Sequence, residues 1–376
     1  MSINLILGLS NGGLFLARQI RLQWPEAEIY AIGSPHDVGK YSNAINQFFT
    51  ASDEDEIVSS IFKVLGIVQY KRIKAYMCSN PMLESIVLRH PEIFDFLEFE
   101  NSFELYHQIV DKNETDILCR ELNIPRPVEY GLLEHELSSI HFPVVVKPLE
   151  KTNTLGASKC AYIKTPENLL GYFAQMGQIG IERKQLVCQQ CIEGDNRWEY
   201  GYGGYFQEGK AIVDICFYQL FQVPQGLCCY CREITDDSLN ASLREIVRPF
   251  LEKSKYNGFL EFDVKQDKDT KTLYVLDINP RPWRSVDILS VKLGNSTIFS
   301  PFLTDFNAIW RYPYRELFRK KNKNNPSSLK FTLSNKKTTK TQYMSYDKND
   351  LKPFIHLFIN DVLDFLQRIK KKIYCL

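Results

Sequence analysis

The chain has 376 residues, enough for about two or three domains of ordinary size. Its composition, with 44% hydrophobic and 24% charged residues, excludes a disordered chain, a collagen-like chain and a dedicated polycation. The formal charge of +1 hides an asymmetry, because residues 311–376 hold 16 Lys and Arg against 5 Asp and Glu. The sequence therefore predicts an acidic body that carries a basic C-terminal segment.

The first 110 residues predict a small α/β domain that opens with a strand, a glycine turn and a helix. The glycines of this turn lack the spacing of a dinucleotide-binding loop, and no acidic residue ends the second strand, so a nicotinamide cofactor is not expected. The predicted elements are, in chain order, strand 3–9, helix 14–24, strand 28–32, helix 53–65 and helix 81–88.

The next part of the chain predicts an α+β region with several antiparallel strand pairs. One helix is expected at 103–122, where Pro125 and Pro127 then force an extended chain. An apolar strand at 142–148 carries Lys147 near its end and is followed by a polar loop at 150–159. The remaining predicted elements are strand 160–163, helix 166–176, strand 185–192, strands 197–206 and 211–217, helix 238–255, and strands 258–265 and 272–278.

This region contains four polar segments whose order and spacing, taken together, are characteristic. They are Asp111 with Lys112, the strand end at Lys147 with its polar loop, the stretch 189–194, and the pair of strands whose polar runs are 260–265 and 275–283. In order and spacing they resemble the ATP-grasp superfamily. The chain looks most like the large chain of carbamoyl-phosphate synthase and the D-aspartate ligase type of carboxylate–amine ligase. The resemblance covers residues 1–295, and its most specific part is Glu261 followed by the Asp-Ile-Asn-Pro-Arg run at 277–281.

The resemblance implies a fold of the α/β (α+β) class. A pre-ATP-grasp α/β domain is expected at 1–110, followed by an ATP-grasp domain of two α+β subdomains at 111–300. Within the latter, 111–195 would carry the lid over the nucleotide and 196–300 the metal site. Residues 301–376 are expected to form a basic linker and a C-terminal helix.

A nucleoside triphosphate needs cations at its phosphates, apolar walls around its base and carboxylates that hold Mg²⁺. Lys147, at the end of a buried strand, could hold its ammonium group rigidly toward phosphate, although a lysine at a strand end can also simply extend to solvent. Lys112 is a phosphate candidate through its position in the family, and otherwise a solvated helical lysine. The loop with Gly156 and Ser158 could place backbone N–H groups over the phosphates, or be an ordinary surface turn.

The stretch 190–194 matches the hinge at which ATP-grasp enzymes present backbone groups to adenine. Gln190 and Ile192 are therefore expected at the base, where many relatives have glutamate in place of Gln190; an amide oxygen can still accept the amino hydrogens of adenine. Glu193 and Asp195 are candidates for the ribose hydroxyls, or else solvated turn charges.

Four residues of the predicted 258–278 hairpin and its end are candidate metal ligands. Side chains alternate along a strand, so Glu261 and Asp263 share a face, and so do Asp277 and Asn279. Clustered carboxylates repel unless a cation joins them, and Mg²⁺ prefers hard oxygen ligands. The alternative is a set of strand charges paired with basic neighbours. Relatives usually have glutamate in place of Asp277. The aspartate side chain is one methylene shorter than that of glutamate.

Arg281 and Arg284 follow the metal strand at a proline-rich turn. The resemblance implies that Arg281 lies near the γ-phosphate and the acyl group, and a charged planar fork suits a carboxylate or an acyl-phosphate. Arg232 is a further candidate for the substrate carboxylate, or else forms a salt bridge within its strand.

These residues predict an ATP-dependent carboxylate–amine ligase that forms a C–N bond through an acyl-phosphate, with Mg²⁺ or Mn²⁺. Its expected partners are small-molecule carboxylates and amines, among them an amino acid. A carbamoyl-phosphate synthase would need a second ATP-grasp half, which this length excludes. A different kind of protein is the alternative: a nucleotide-binding regulator or scaffold without turnover. This alternative stays open because Gln190 and Asp277 depart from the pattern of the family.

The basic C-terminal segment predicts a linker at 311–340 and an amphipathic helix at 353–369. This helix either packs back on the body or docks on an anionic membrane or a protein partner. No nucleic-acid surface is expected, and an oligomer stays open. The ten cysteines lie scattered in apolar runs, which is typical of free thiols in the reducing cytoplasm, with zinc binding as the alternative. Neither a secretory leader nor a transmembrane helix is predicted.

Overall fold

Three β-sheets organise the protein in the computed structural model, which describes residues 3–69, 73–148, 161–223, 227–312 and 338–374. The first sheet is parallel and has five strands, the second has four strands, and the third is a mainly antiparallel sheet of seven strands. Helices cover these sheets, which confirms the predicted α/β (α+β) class.

The parallel sheet forms because its strands are short apolar runs that can be buried on both faces. β1 is almost wholly buried, and helices pack on the two sides of the sheet. The strands are β1 (Ile3–Leu7), β2 (Glu28–Gly33), β3 (Gln47–Thr50), β4 (Ile73–Met77) and β5 (Leu97–Glu98), in the spatial order β3-β2-β1-β4-β5. The helices are α1 (Asn11–Gln23), α2 (Glu54–Val68) and α3 (Asn80–Arg89).

The chain leaves neighbouring strands β1 and β4 toward opposite faces of this sheet. Leu16 and Ile20 of α1 belong to one core cluster, whereas Leu83 and Ile86 of α3 belong to the other. The loops after β1 and β4 therefore diverge and leave a crevice at the carboxyl edge of the sheet. Crevices of this kind are where open α/β sheets bind ligands.

The predicted helix 103–122 is two helices, α4 (Phe103–Val110) and α5 (Lys112–Glu121). The expectation of one helix is wrong because Asp111 adopts an extended conformation between them. Its carboxylate accepts hydrogen bonds from the backbone N–H groups of Asn113 and Glu114, which starts α5 with a side-chain cap. This cap makes Lys112 the first residue of the new helix.

The four-stranded sheet packs its apolar face on α6 (Pro166–Gln178). Its strands are β6 (Glu129–Tyr130), β7 (Val144–Pro148), β8 (Ala161–Ile163) and β9 (Leu186–Gln190), in the spatial order β6-β9-β7-β8. Val144 and Val146 are buried in the core with α6, so pleating puts Lys147 on the opposite face.

The seven-stranded sheet has α7 (Asp237–Ser254) on one face, where Leu243, Val247 and Phe250 form a core with the strands. Its strands are β10 (Glu199–Gln207), β11 (Lys210–Val223), β12 (Leu227–Glu233), β13 (Gly258–Gln266), β14 (Leu273–Asn279), β15 (Asn307–Arg311) and β16 (Thr339–Tyr343). Their spatial order is β14-β13-β10-β11-β12-β15-β16. The face opposite α7 carries the polar residues that the sequence singles out.

The expected linker 311–340 is partly wrong, because Arg311 ends β15 and Thr339 begins β16. These two strands lie parallel to each other and extend the large sheet beyond residue 300. Residues 313–337 lie outside the described part of the chain. The domain boundaries at 110, 195 and 300 remain predictions.

The C-terminal helix is α9 (Lys352–Tyr374), which follows the short helix α8 (Leu289–Leu293) in our numbering. Its first turns pack back on the N-terminal region, as one of the two expectations had it. Leu357 is buried in the core that contains α1, and the ring of His356 stacks on Tyr41 at 3.5 Å between centroids. Within the described ranges, every helix lacks the combination of length and apolar content that crossing a membrane needs.

Candidate active site

The hairpin of β13 and β14 brings the four candidate metal ligands together. In its register Glu261 lies opposite Asn279, and Asp263 lies opposite Asp277. The Nδ2 group of Asn279 donates hydrogen bonds to Glu261 Oε2 at 3.2 Å and to Asp263 Oδ2 at 3.3 Å. The predicted sharing of one face by these side chains is therefore confirmed.

Gln219 of β11 is a member of this cluster that sequence reasoning missed. Its Nε2 donates a hydrogen bond to Asp263 Oδ1 at 2.8 Å, and its side chain is buried. The available signal was a polar residue inside the apolar and aromatic run 215–221 of this strand. Because Asp263 accepts from two amides, its orientation is held by neighbours on both sides.

Electrostatic repulsion is built into the cluster. Burial, then the charges of Asp263 and Asp277, raise the pKa of Glu261 well above its usual range, whereas Arg281 lowers it. In the described ranges, no three His, Cys, Asp or Glu side chains are grouped tightly enough to enclose a metal ion on their own. Carboxylate and amide oxygens are the kind of ligand that Mg²⁺ prefers, and a metal held here would need further ligands from phosphate.

Glycines on β10 shape the surface beside the carboxylates. Gly203 pairs with Glu261, and a side chain at Gly203 would collide with the ring of Trp283, whose atoms lie 2.9 Å from the position of a Cβ. Trp283 is buried and stacks parallel to Phe217 at 6.1 Å. Because the indole lies flat on the sheet, it anchors the turn that carries Arg281 and Arg284.

Lys112 reaches this cluster from the start of α5. Its Nζ forms an ion pair with Asp277 Oδ1, and both side chains are largely buried. The alternative of a freely solvated helical lysine is therefore wrong. The ammonium group of Lys112 therefore lies next to the carboxylates of the cluster.

Lys147 lies half-buried on the face of the small sheet that is turned away from α6. Its charge acts on the carboxyl group of Glu129. Burial and the charge of Asp116 raise the pKa of Glu129, whereas the charge of Lys147 lowers it. Asp116 belongs to α5, so Lys147 lies in the same neighbourhood as the helix of Lys112. Gly156 and Ser158, the candidates of the following loop, lie outside the described residues.

Arg126 is a second residue that the sequence reasoning did not select. Its guanidinium group is 5% exposed and lies 3.4 Å from Asp116, between Pro125 and Pro127. Two of its nitrogens, Nε and Nη1, are buried without a hydrogen-bond partner among the described residues. Asp116 faces the Nε of this buried guanidinium group with an opposite charge, and a ligand oxygen could satisfy the Nη1 donor, which makes Arg126 a candidate ligand contact.

The hinge residues have structural partners of their own. The side-chain oxygen of Gln190 accepts a hydrogen bond from the backbone N–H of Val128 at 3.2 Å. The N–H of Val128 therefore competes with the amino group of adenine for this oxygen. Ile192 is buried. Glu193 lies 3.5 Å from the ammonium group of Lys268.

Asp195 forms an exposed ion pair with Arg197 at 2.7 Å, and this hydrogen-bonded partner lowers the pKa of Asp195. The geometry favours the alternative of a turn charge for Asp195.

Arg281 connects the end of β14 to the crevice of the parallel sheet. Its Nε donates to Asn80 Oδ1 at the start of α3, and its Nη2 donates to Asn279 Oδ1 at 3.3 Å. The guanidinium group therefore lies between the carboxylate cluster and the carboxyl edge of β4. A small anion bound in the crevice would be within its reach.

Arg284 and Arg232 differ in their placement. The guanidinium group of Arg284 lies over the ring of Tyr312 at 5.2 Å, and its buried Nε has no hydrogen-bond partner among the described residues. Arg232 pairs in register with Tyr218 and lies over its ring at 5.5 Å. Tyr218 packs on the α7 side of the sheet, so Arg232 does not share the face of the carboxylates.

The chain resembles known proteins in sequence and in fold. No protein-family model matches the chain. The chain is 23% identical over 301 residues to D-aspartate ligase of Enterococcus faecium (strain Aus0004), a match that covers 74% of this chain and 69% of that protein.

Solved structures share the fold. The structure of N5-carboxyaminoimidazole synthetase from Staphylococcus aureus complexed with ADP superposes with a TM-score of 0.59 at 12% identity, covering 77% of this chain and 72% of that one. L-amino acid ligase from Bacillus licheniformis gives a TM-score of 0.58 at 14% identity, covering 79% and 72%. The chain therefore has the ATP-grasp fold, and its predicted resemblance to the carboxylate–amine ligases of that superfamily is confirmed.

Proposed function

We propose that the protein is an ATP- and Mg²⁺-dependent ligase that joins a small carboxylate to an amine through an acyl-phosphate. The observation that carries this proposal is the cluster of Glu261, Asp263, Asp277 and Asn279, with Lys112 on one side and Arg281 on the other. Carboxylates for a metal thus lie directly between a candidate phosphate cation and a candidate substrate cation.

In the proposed reaction the substrate carboxylate attacks the γ-phosphate of ATP and releases ADP. An amine then attacks the acyl carbon of the acyl-phosphate, which forms the C–N bond and releases phosphate. When bound, Mg²⁺ would neutralise phosphate charge and align the γ-phosphate. Glu261, Asp277 and Asn279 would supply its protein oxygens, whereas the two amides that hold Asp263 keep that carboxylate oriented.

The basic residues act by charge and orientation. Lys112 would exchange its partner Asp277 for phosphate when ATP binds, and Lys147 would contact phosphate from the small sheet. Arg281 would hold the carboxylate and the transferred phosphoryl group, where a planar cation stabilises developing charge. The reaction requires no covalent nucleophile from the protein.

The carboxylate or amine partner would bind in the crevice at β1 and β4. Asn80, at the N-terminus of α3, contacts Arg281 there, and helix N-termini favour anions. The similarity to D-aspartate ligase and to an L-amino acid ligase supports an amino acid as one substrate.

The adenine hinge around Ile192 and the ribose contacts of Glu193 stay part of this proposal, as do Gly156 and Ser158. Arg126, which pairs with Asp116 through Nε, joins it as a further candidate for the nucleotide through its buried Nη1 donor. Arg284 is proposed beside Arg281, at the far side of the same turn.

An ADP-release assay with MgATP and mixed pools of amino acids, other carboxylates and amines tests the proposal. Turnover should appear with one pool pair and vanish in Lys147→Ala. Product mass should equal the sum of both substrates less one water. Tight MgATP binding without ADP release from any pool would instead support the nucleotide-binding regulator.

A further inference from the structure

The apolar side chains of α9 form a row that faces away from the protein body. Leu357 and Asp361 are buried, so they define the side of the helix that meets the N-terminal region. The exposed residues lie on the remaining surface of the helix at spacings of three, four and seven. They are Ile355 at 50%, Phe358 at 42%, Ile359 at 42%, Leu363 at 50% and Leu366 at 53% exposure.

This exposed row is defined here as the α9 stripe: Ile355, Phe358, Ile359, Leu363 and Leu366. Single exposed apolar residues are ordinary on protein surfaces, but a contiguous row on one helix marks an interaction site. An amphipathic helix normally turns its apolar stripe toward the core. In α9 the apolar surface is largely on the outer side.

Contacts at its start fix the orientation of α9. Asp350, just before the helix, accepts a hydrogen bond from Arg18 Nε at 2.9 Å and from the hydroxyl group of Ser42 at 2.5 Å. The stacked rings of His356 and Tyr41 add a second contact. The stripe is therefore presented on a helix that is held in place by its inner side.

Basic residues accompany the stripe. The sequence of α9 holds five basic residues, Lys352, Arg368 and the run 370–372, against two acidic ones, Asp361 and Asp364. A helix that combines an exposed apolar row with an excess of basic residues in its own sequence is complementary to a surface with an apolar interior and anionic headgroups.

We propose that α9 docks the protein on an anionic lipid surface, with the helix lying in the plane of the interface and the α9 stripe in contact with acyl chains. Each lysine near such a surface strengthens binding roughly fivefold, and a helix of this kind inserts its apolar side only into the headgroup boundary. The charge of α9 favours binding to anionic lipid over binding to a second copy of this chain. The basic residues of two such copies would repel each other.

Vesicle co-sedimentation of the full chain tests this docking. The vesicles are phosphatidylcholine alone, or phosphatidylcholine with one third phosphatidylglycerol, at low and at high salt. We expect the protein to pellet with anionic vesicles at low salt and to stay in the supernatant with neutral ones. Neutralising three lysines with Lys370→Gln, Lys371→Gln and Lys372→Gln should weaken partitioning on the order of a hundredfold.

The stripe is tested by Ile359→Glu with Leu366→Glu. The matched control is Ile67→Glu with Leu170→Glu, two side chains of similar exposure, 49% and 51%, on other helices. We expect the stripe variant to lose at least tenfold in partitioning and the control to bind like the unchanged protein. Circular dichroism and thermal melting of all variants show whether each still folds.

Three outcomes would overturn the proposal. The first is equal partitioning of stripe and control variants, and the second is equal binding to neutral and anionic vesicles. The third is a concentration-dependent dimer in sedimentation velocity that the stripe variant abolishes, with no vesicle binding by either form, since the stripe would then contact a second copy.

Discussion

The ammonium group of Lys112 forms an ion pair with the carboxylate of Asp277, a residue 165 positions later in the chain. This pair joins the start of α5 to the strand that carries the proposed metal ligands. Lys112 is placed there by the Asp111 cap, which breaks the preceding helix one residue earlier. The opposite charges of the two groups therefore neutralise each other.

Replacing Lys112 by alanine should raise the KM for ATP roughly tenfold to a hundredfold, because a charge-assisted phosphate contact is lost. Steady-state kinetics across ATP concentrations measure this effect. The control is Lys292→Ala, which removes a lysine of similar burial that pairs with Glu233 at 2.9 Å on another part of the sheet. An unchanged KM for ATP in Lys112→Ala would remove this lysine from the nucleotide site.

The length and charge of Asp277 can be tested separately. Asp277→Asn should lower kcat/KM on the order of a hundredfold and weaken activation by Mg²⁺, because a hard anionic ligand is lost. Asp277→Glu, which keeps the charge and adds one methylene, should keep most of the activity. Titration of activity with Mg²⁺ separates the two variants.

Asp214→Asn serves as the control for this series, because Asp214 pairs with Arg244 rather than with the cluster. If Asp277→Asn and Asp214→Asn respond alike to Mg²⁺, the assignment of Asp277 as a ligand fails.

Arg281 should act on the carboxylate substrate more than on ATP binding. Arg281→Lys keeps the charge but loses the planar fork, and we expect the KM for the carboxylate to rise roughly tenfold to a hundredfold. The KM for ATP should change little. A matching change in Asn80→Ala, which leaves the guanidinium group without its partner at α3, would locate the carboxylate in the crevice.

Asp287 gives a pH dependence of stability that can be measured without substrates. Its buried carboxylate accepts hydrogen bonds from Asn11 Nδ2 at 2.9 Å and from the backbone N–H of Ser345 at 3.1 Å. Burial raises the pKa of Asp287 to about 6, against 3.8 as its ordinary value. Between these pH values the folded state binds more protons than the unfolded state. The contribution of Asp287 to stability is thus fully present below pH 3.8 and is lost as the pH rises through about 6.

The free energy of unfolding from urea titrations should therefore fall with rising pH through this window, by at most about 1.4 kcal/mol per pH unit from this one group. Asp287→Asn should remove that component of the slope. Asp364→Asn, at an exposed position of α9, should leave it in place. Identical slopes in all three proteins would contradict the raised pKa.

Local patterns predicted the parts of the site that depend on alternation along a strand. Glu261 and Asp263 share a face because strands are pleated, and a hairpin joins them to Asp277 and Asn279. The pairing of Lys112 with Asp277 could not be predicted, because it depends on how α5 packs against a distant hairpin. Gln219 escaped notice for the same reason, since strand order and not chain order makes it a neighbour of Asp263.

At the two ends of the predicted linker 311–340, composition gave bounds that are too wide. A high content of Lys, Asn and Ser predicts a linker, yet β15 and β16 pair within the large sheet at its two ends. The side chain of Asn11 also receives hydrogen bonds from the N–H and hydroxyl groups of Ser345, 334 positions away. Contacts at such separation carry no signal in a single sequence.

The pairing of β16 with β15 has a consequence for how the chain is held together. The chain is held in the large sheet on both sides of the stretch 313–337, because β15 ends at Arg311 and β16 begins at Thr339 and the two strands pair with each other. A single cut anywhere in that stretch would leave β16, Ser345 and α9 attached through their hydrogen bonds and packing alone. The two pieces would then form a noncovalent complex, and α9 would stay with the body after cleavage until the contacts of Asp350 and Leu357 are broken.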